Sequence, residues 1–469
     1  MGAARGRDRI QDQLTEFACK LEYAALPPAV QRVAKTRIVY SLGALIAGLD
    51  GASSQAARRL AQRMPLADGA TVIGTEIKTT PETAALANGT AARYIEMNDI
   101  YHWPGSYEGH ASDVVPAVLT AAEYAHADGR ALITAVVLAY DVFLRLSDVA
   151  KNQNFDNTNF CAIAVAAAAG KLWRFTPEQM AHCIAMATVS GNMLRQVRKS
   201  HISMWKAVAA GNAGRSGLYA ALLARDGMDG PHLPFEGESG WCDHIAGARF
   251  TLERMGAPGE RFKILDTRLK RRAACGTAIS SILAAEKLAP LLAPSDIAEV
   301  TVEVYRKALE DVGSGEHKWH PDTRESADHS IPYVVAAALT DGTVTPRSFD
   351  AAHLRDPALH ALIRKIRVVE DAAFTLAYER APVEHRTRVI VVTRDGTRHT
   401  GESGGDADDL SAEITDDEVV AIFRNLTRDA WPQERAAQIL DLLWNVEQLP
   451  DVAVIPPLLL RRAPPTENI

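Results

Sequence analysis

Cysteine is scarce. The 469 residues include five, Cys19, Cys161, Cys183, Cys242 and Cys275, all far apart. They form no C-x-x-C pair and no mixed His/Cys spacing, which excludes a zinc ribbon and the three-cysteine pattern of an aconitase-type cluster. An odd number of isolated thiols predicts reduced cysteines and a cytoplasmic protein. Long apolar runs are missing too. Cys161 to Gly170 is the longest, about half of what a bilayer demands, so no membrane association is expected. No apolar stretch follows the charges of the first nine residues, so no secretory leader is expected. Nor does one sign of charge dominate: 51 Lys+Arg stand against 58 Asp+Glu, a net charge of −7. Without a basic run or basic-aromatic stripe, nucleic acid is not an expected partner. The glycines spell neither G-x-G-x-x-G nor a P-loop, which argues against a nucleotide. No metal and no cofactor are expected.

What is present is apolar material in ordinary amount, 47% of residues, enough for a large core and two or three folding units. Roughly the first 265 residues are rich in Ala and Leu at helical spacing and should be almost entirely helical. After Pro27-Pro28, a helix from Ala29 to Leu49 places Val30, Val33, Ile38, Leu42 and Ile46 on one stripe. Further helices are expected from Thr80 to Ile95, from Asp113 to His126 and from Arg130 to Leu146. Ala162 to Gly170 is apolar all round and should lie at the centre.

Near residue 265 the pattern changes. Glu299 to Tyr305 alternates and reads as a strand burying Val300, Val302 and Val304. Arg388 to Thr400 reads as two strands joined at Asp395-Gly396, and Lys365 to Glu370 as a weaker third. Helices are expected at Gly276–Leu288 and Pro332–Leu339. Gly401 to Asp409 reads as a polar link. Thr415 and Glu418 form a capping box, and Pro432 opens a last helix through Leu443. The fold class is therefore mainly α: a helical domain from both chain ends, 1–267 and 409–469, with an inserted α+β lid at 268–408.

Residues 96–113 are the least ordinary stretch, packing Glu96, Asp99, Glu108 and Asp113 with His102, His110, Tyr101, Trp103 and Tyr107 between apolar helices. So many titratable groups in one loop suit proton transfer. The plainer alternative is that Ser112 or Asp113 merely caps the next helix. Around 194–215, Arg195, Arg198, Lys199 and Lys206 precede or enter a helix of very small residues. A Lys206 there needs an anion, from the protein or from a ligand, whereas Arg198 and Lys199 read as a solvated face. Lys270-Arg271-Arg272 reads equally well as a charged linker and as a grip on a small polyanion. Asp328, His329 and Ser330 are no triad on spacing, because sequence neighbours seldom form a relay.

These residues together resemble the MmgE/PrpD family, which includes 2-methylcitrate dehydratase, cis-aconitate decarboxylase and iminodisuccinate epimerase. The likeness runs nearly end to end. It rests on Ala85 to Thr90, on Asn98-Asp99 with Gly109 to Asp113, on Ala164 to Leu172 and on Leu194 to Arg198. Ser203 to Lys206, Gly227 to Pro231 with Phe235 to Gly237, and Asp328 to Tyr333 complete it. The resemblance implies a helical domain, a lid, a cleft between them, a homodimer, and cofactor-free chemistry on a small polycarboxylate. By position, His110, Asp99, Lys206 and Lys270 are the expected catalytic groups. Arg195, Glu96, Asn157 and Tyr333 are the expected substrate contacts. Ile100, Asn157 and the segment Lys270 to Gly276, with Cys275, depart from the family pattern and point to an altered substrate. A 2-methylcitrate dehydratase-like hydro-lyase is the leading expectation. A decarboxylase, an epimerase or a non-catalytic helical binding protein are the alternatives. His110 would move the proton with Asp99 orienting it, while Lys206 and Lys270 would hold carboxylates.

Overall fold

The computed structural model describes residues 7–199, 201–256, 259–405 and 412–461. Pro28, with no amide hydrogen to satisfy, stands in the first turn of the helix Pro28–Gly48. Of its expected stripe, Val30, Ile38, Leu42 and Ile46 are buried. The alanine-rich segment lies in the helix Thr158–Leu172, of which every residue but Lys171 is buried. Helices Pro81–Tyr94 and Trp205–Arg225 cross at two glycines. A Cβ on Gly89 would stand 2.7 Å from the Gly211 Cα, and one on Gly211 2.4 Å from the Leu86 oxygen. That contact brings Lys206, at the start of one helix, beside Arg93, at the end of the other.

The first half is not wholly helical. Strands β1 (Pro65–Thr71) and β2 (Lys78–Thr79) pair antiparallel. Their signal is hidden because Ala67, Asp68, Gly69 and Ala70 interrupt any alternation, and burial comes as a run, Gly69 to Thr71, after four exposed residues. A second short pair, β3 (Asp99–Ile100) with β4 (Arg268–Leu269), joins the titratable loop to the segment entering the second half. The helix expected from Asp113 starts instead as a 3-10 turn, Ala111–Val114, followed by Val115–Tyr124 with Pro116 in its first turn.

The second half holds a four-stranded sheet in the order β6-β5-β7-β8. Strand β5 (Ile297–Val304) is parallel to β6 (Ile366–Glu370) and antiparallel to β7 (Thr387–Thr393). Val300, Val302 and Val304 are buried, as their alternation predicts. Strand β8 (Arg398–Ser403) follows β7 through a turn in which Gly396 takes φ +86°. This corrects the expected link: Gly401 to Ser403 belong to the strand, and the rest of it beyond Gly405, with the boundary at 408/409, lies outside the described residues. Helices Ile279–Glu286 and Ile331–Asp341 pack on the sheet and on each other.

The capping box forms as expected, with Glu418 N donating to Thr415 Oγ1 at 3.3 Å and Thr415 N to Glu418 Oε2 at 2.8 Å. The helix it opens, Asp416–Thr427, packs on Pro28–Gly48, as does Gln433–Trp444. Among the described residues no helix is long and apolar enough to cross a membrane.

Candidate active site

The chain leaves the helix Pro81–Tyr94 and turns sharply at Glu96, whose φ of +58° is rare for a side chain with a Cβ. The turn sends its carboxylate inward. Glu96 there meets Arg93 at 3.0 Å, Lys206 Nζ at 3.0 Å and Lys270 Nζ at 2.9 Å. All four side chains are 2% exposed or less. Burial opposes a charge on Glu96, but Arg93, Lys206 and Lys270 outweigh it and hold the carboxyl well below its ordinary range. Lys206 also pairs with the buried Asp328 at 2.8 Å. Glu96, Asp328 and His329 offer ligand atoms within 4.8 Å of one another. The Lys206 ammonium stands among these three, 3.2 Å from His329 Nδ1, and supplies the positive charge there.

Beyond Glu96, β3 and the bridge between Tyr101 and Gly109 close the titratable loop at its base. His110 follows. Its Nδ1 lies 2.5 Å from the Asp99 backbone oxygen. A carbonyl oxygen has no proton to offer, so Nδ1 carries the hydrogen and Nε2 is left as the basic nitrogen. Burial, together with Arg93 and Lys270, pushes the imidazole well below its usual range. His110 is thus a neutral base at pH 7, rather than a group poised between charge states. Asp99 orients it through the backbone. Its carboxylate turns away, accepting from Ser112 N at 2.9 Å, while Ser112 Oγ accepts from Asp99 N at 3.1 Å. The capping alternative is overturned, because no side chain caps the 3-10 turn and Ser112 serves Asp99 instead. Asp113 is buried near Arg93 at 3.6 Å, and burial pushes its carboxyl up to about 6.

His110 lines a cleft of about 310 Å³ whose cations are Arg93, Arg195, Arg198, Lys199 and Lys318, and whose acids are Glu108, Glu310 and Asp311. A larger opening of about 980 Å³ elsewhere, around Tyr124, Trp173 and Arg225, contains none of these groups. Chemistry, not size, singles out the smaller one. Arg195 sits over the Tyr107 ring at 5.4 Å and donates to its hydroxyl. Arg198 is no solvated residue: it pairs with the buried Asp156 through bonds of 2.6 and 3.1 Å. Asn157 donates from Nδ2 to the Glu108 oxygen at 3.1 Å, and its buried Oδ1 has no partner among the described residues.

The expected residues therefore fall into three groups. His110, Arg195 and Asn157 line the cleft. Asp99, Glu96, Lys206 and Lys270 form the buried layer behind it, with both lysines spent on protein carboxylates. Tyr333 is not brought there: its hydroxyl donates to the Ser348 oxygen at 2.7 Å and its ring stacks on Phe349.

Several residues in or beside the cleft escape the sequence reading, Glu310 and Asp311 among them. Arg93 could have been found by the reasoning applied to Lys206, since it follows Thr90, Ala91 and Ala92 in a small-residue helix. Asp328 and His329, dismissed as neighbours, do bond each other, Oδ1 to Nδ1 at 2.6 Å, while Ser330 caps the following helix. Cys275, noted only as a departure, lines the cleft beside His329. Lys318 gave no signal; its Nζ donates to the His329 oxygen at 2.9 Å.

Residues 12–253 match the MmgE/PrpD N-terminal domain and residues 273–448 the MmgE/PrpD C-terminal domain. The 2-methylcitrate dehydratase of Escherichia coli (strain K12) is 26% identical, with 71% of each chain covered. A cis-aconitate decarboxylase-like protein of Aspergillus oryzae is 25% identical over 94% of this chain and 95% of its own. Human cis-aconitate decarboxylase is 24% identical over 83% and 82%.

Proposed function

Because the chain belongs to the MmgE/PrpD family, we propose that it is a lyase acting without a cofactor on a small polycarboxylate, in the manner of a 2-methylcitrate dehydratase. The observation that carries this reading is the neutral His110, its Nδ1 tied to a carbonyl, in a cleft lined by five Lys and Arg side chains. Eliminating water from a β-hydroxy acid needs a base for the carbon-bound proton and positive charge for the enediolate that forms. His110 Nε2 is that base. Arg93, Arg195 and Arg198 are placed to hold carboxylates by charge-assisted bonds, and the orphan Asn157 Oδ1 suits a substrate hydroxyl. A bound polyanion also offsets the surrounding cations that depress His110, so binding itself raises the basicity of the imidazole. Lys206 and Lys270 act from behind, by keeping Glu96 ionised and in place. In this reading residues 268–408 serve as the lid.

A decarboxylase is the second reading, favoured by the decarboxylase-like relative that matches 94% of this chain. Both reactions create negative charge beside a carboxylate, and the substrate's pose decides which bond breaks. Incubation with citrate-like and unsaturated tricarboxylates in deuterated water, followed by proton NMR, tests the proposal. Loss of a hydroxyl-bearing substrate to an alkene is the expected result. Carbon dioxide release without alkene formation supports the second reading, and no change in any compound refutes both.

A further inference from the structure

The elimination proposed above still lacks a group to protonate the departing hydroxyl. Asp99, which orients His110, is wholly buried and engaged by Ser112. His110 is already the base. A candidate is held by a second network, around the turn bearing Asp328 and His329. Cys275 N donates to the Asp328 oxygen at 2.8 Å, which docks the cysteine against the turn bearing His329. The Cys275 thiol lines the cleft beside His329 and lies 3.3 Å from Thr277 Oγ1. His329 in turn is fixed by Asp328 at 2.6 Å, and Asp328 by Lys206 at 2.8 Å. Cys275, His329 and His110 all line the one cleft.

We propose that Cys275 is the general acid of this cleft, giving its thiol proton to the departing hydroxyl while His110 takes the proton from carbon, with His329 as its positioning residue. The assignment rests on the lyase reading. In the step, the C–H electron pair forms the new double bond as His110 Nε2 takes the proton. The C–O bond breaks, and its pair stays on oxygen, which takes the Cys275 proton and leaves as water. The site ends with an imidazolium at His110 and a thiolate at Cys275. Passage of one proton between them through solvent, after product leaves, restores the start. One proton is taken and one given, and no oxidant or other reactant is needed.

The surroundings fit a thiol that must lose its proton readily. Burial alone would push it up, as it does for Cys19, Cys161, Cys183 and Cys242. His329 and then Lys270 overcome burial and bring Cys275 down to about 7. Lys318, Tyr305 and Tyr378 face it as well. Cys275 in turn helps to raise His329 against the opposing effects of burial and Lys206. A thiol near 7 is half protonated at neutral pH, and its thiolate is stabilised by the cations that await it.

The test uses the full chain, Cys275→Ser and His329→Gln, with iodoacetamide as probe. In the parent, alkylation of Cys275 should rise with a midpoint near pH 7 and be slowed by citrate. His329→Gln should move the midpoint up by a unit or more, which a merely structural role would not do. Cys275→Ser should still exchange the carbon-bound proton for deuterium but lose elimination by about 10²–10⁴, together with the alkaline limb of kcat/KM near pH 7. An unmoved midpoint in His329→Gln, or elimination by Cys275→Ser within twofold of the parent, overturns the assignment while leaving the lyase reading intact. A parent that transforms no polycarboxylate removes the lyase reading itself, and the acid role with it.

Discussion

The Asp99 backbone oxygen lies 2.5 Å from His110 Nδ1, while the carboxylate of the same residue is bonded to Ser112 N, at 2.9 Å. One residue thus orients the imidazole with its main chain and anchors its own position with its side chain. Replacing His110 by Gln keeps an amide of similar reach but removes the base. Turnover should fall by about 10²–10⁴ with little change in ligand affinity or in unfolding midpoint. Steady-state kinetics beside a denaturant titration checks this, and activity within twofold of the parent defeats the role.

Ser112→Ala removes one bond to the Asp99 amide and should lower stability by about 1 kcal/mol. Because the Asp99 carbonyl sets the His110 tautomer, turnover should fall too. A helix cap would alter stability alone, so comparing kcat with the unfolding free energy separates the two roles.

Lys206→Met leaves Glu96 and Asp328 buried with less positive charge. Removing one partner of a buried ion pair costs about 3–5 kcal/mol, so this variant should unfold at clearly lower denaturant. The tenfold or greater loss of affinity expected of a direct ligand contact should instead appear in Arg195→Gln, whose guanidinium lines the cleft.

Acid should weaken the fold between pH 6.5 and 5. Burial, then His102, brings His385 down to about 3 from 6.5, so the unfolded chain binds a proton that the native one refuses. No stability is lost above pH 6.5. As pH falls below it, His385 alone removes about 1.4 kcal/mol per unit, roughly 2 kcal/mol at pH 5. His110 and His102, also depressed, act in the same sense, and His329, which is raised, opposes them. His385→Asn should flatten the curve of unfolding free energy against pH by up to one proton.

Gly211→Ala places a methyl 2.4 Å from the Leu86 oxygen and 2.8 Å from Thr90 N. These are backbone atoms that cannot swing aside. The helix Trp205–Arg225 must lift, at a cost of about 1–3 kcal/mol or more. Lys206 lifts with it, so kcat should fall although residue 211 is remote from the cleft.

Much of this was legible in the chain. Alternation marked Val300, Val302 and Val304, Asp395-Gly396 marked the hairpin, and Thr415 with Glu418 marked a helix start, because each signal is local. The dense loop from Glu96 to Asp113 and the cation at Lys206 were visible as chemistry without obvious partners. What stayed hidden were pairings across the chain. Nothing near Glu96 announces Lys270, and nothing near Cys275 announces His329. Lys206 and Lys270 read as ligand contacts because sequence shows a charge but not the carboxylate that meets it. The motif around Tyr333 points to the site, whereas its hydroxyl donates to the Ser348 backbone oxygen.

The ladder between β3 and β4 continues one residue further, where Lys270 N donates to the Asn98 oxygen at 3.2 Å, and the same Lys270 closes on Glu96. The seam between the two halves of the chain is therefore written twice, once in backbone and once in charge. A chimera taking residues 268–408 from a relative while keeping residues 96–100 of this chain would mate two edges shaped for other partners. Both strips must be exchanged together, so the unit that recombination can carry intact is discontinuous in sequence.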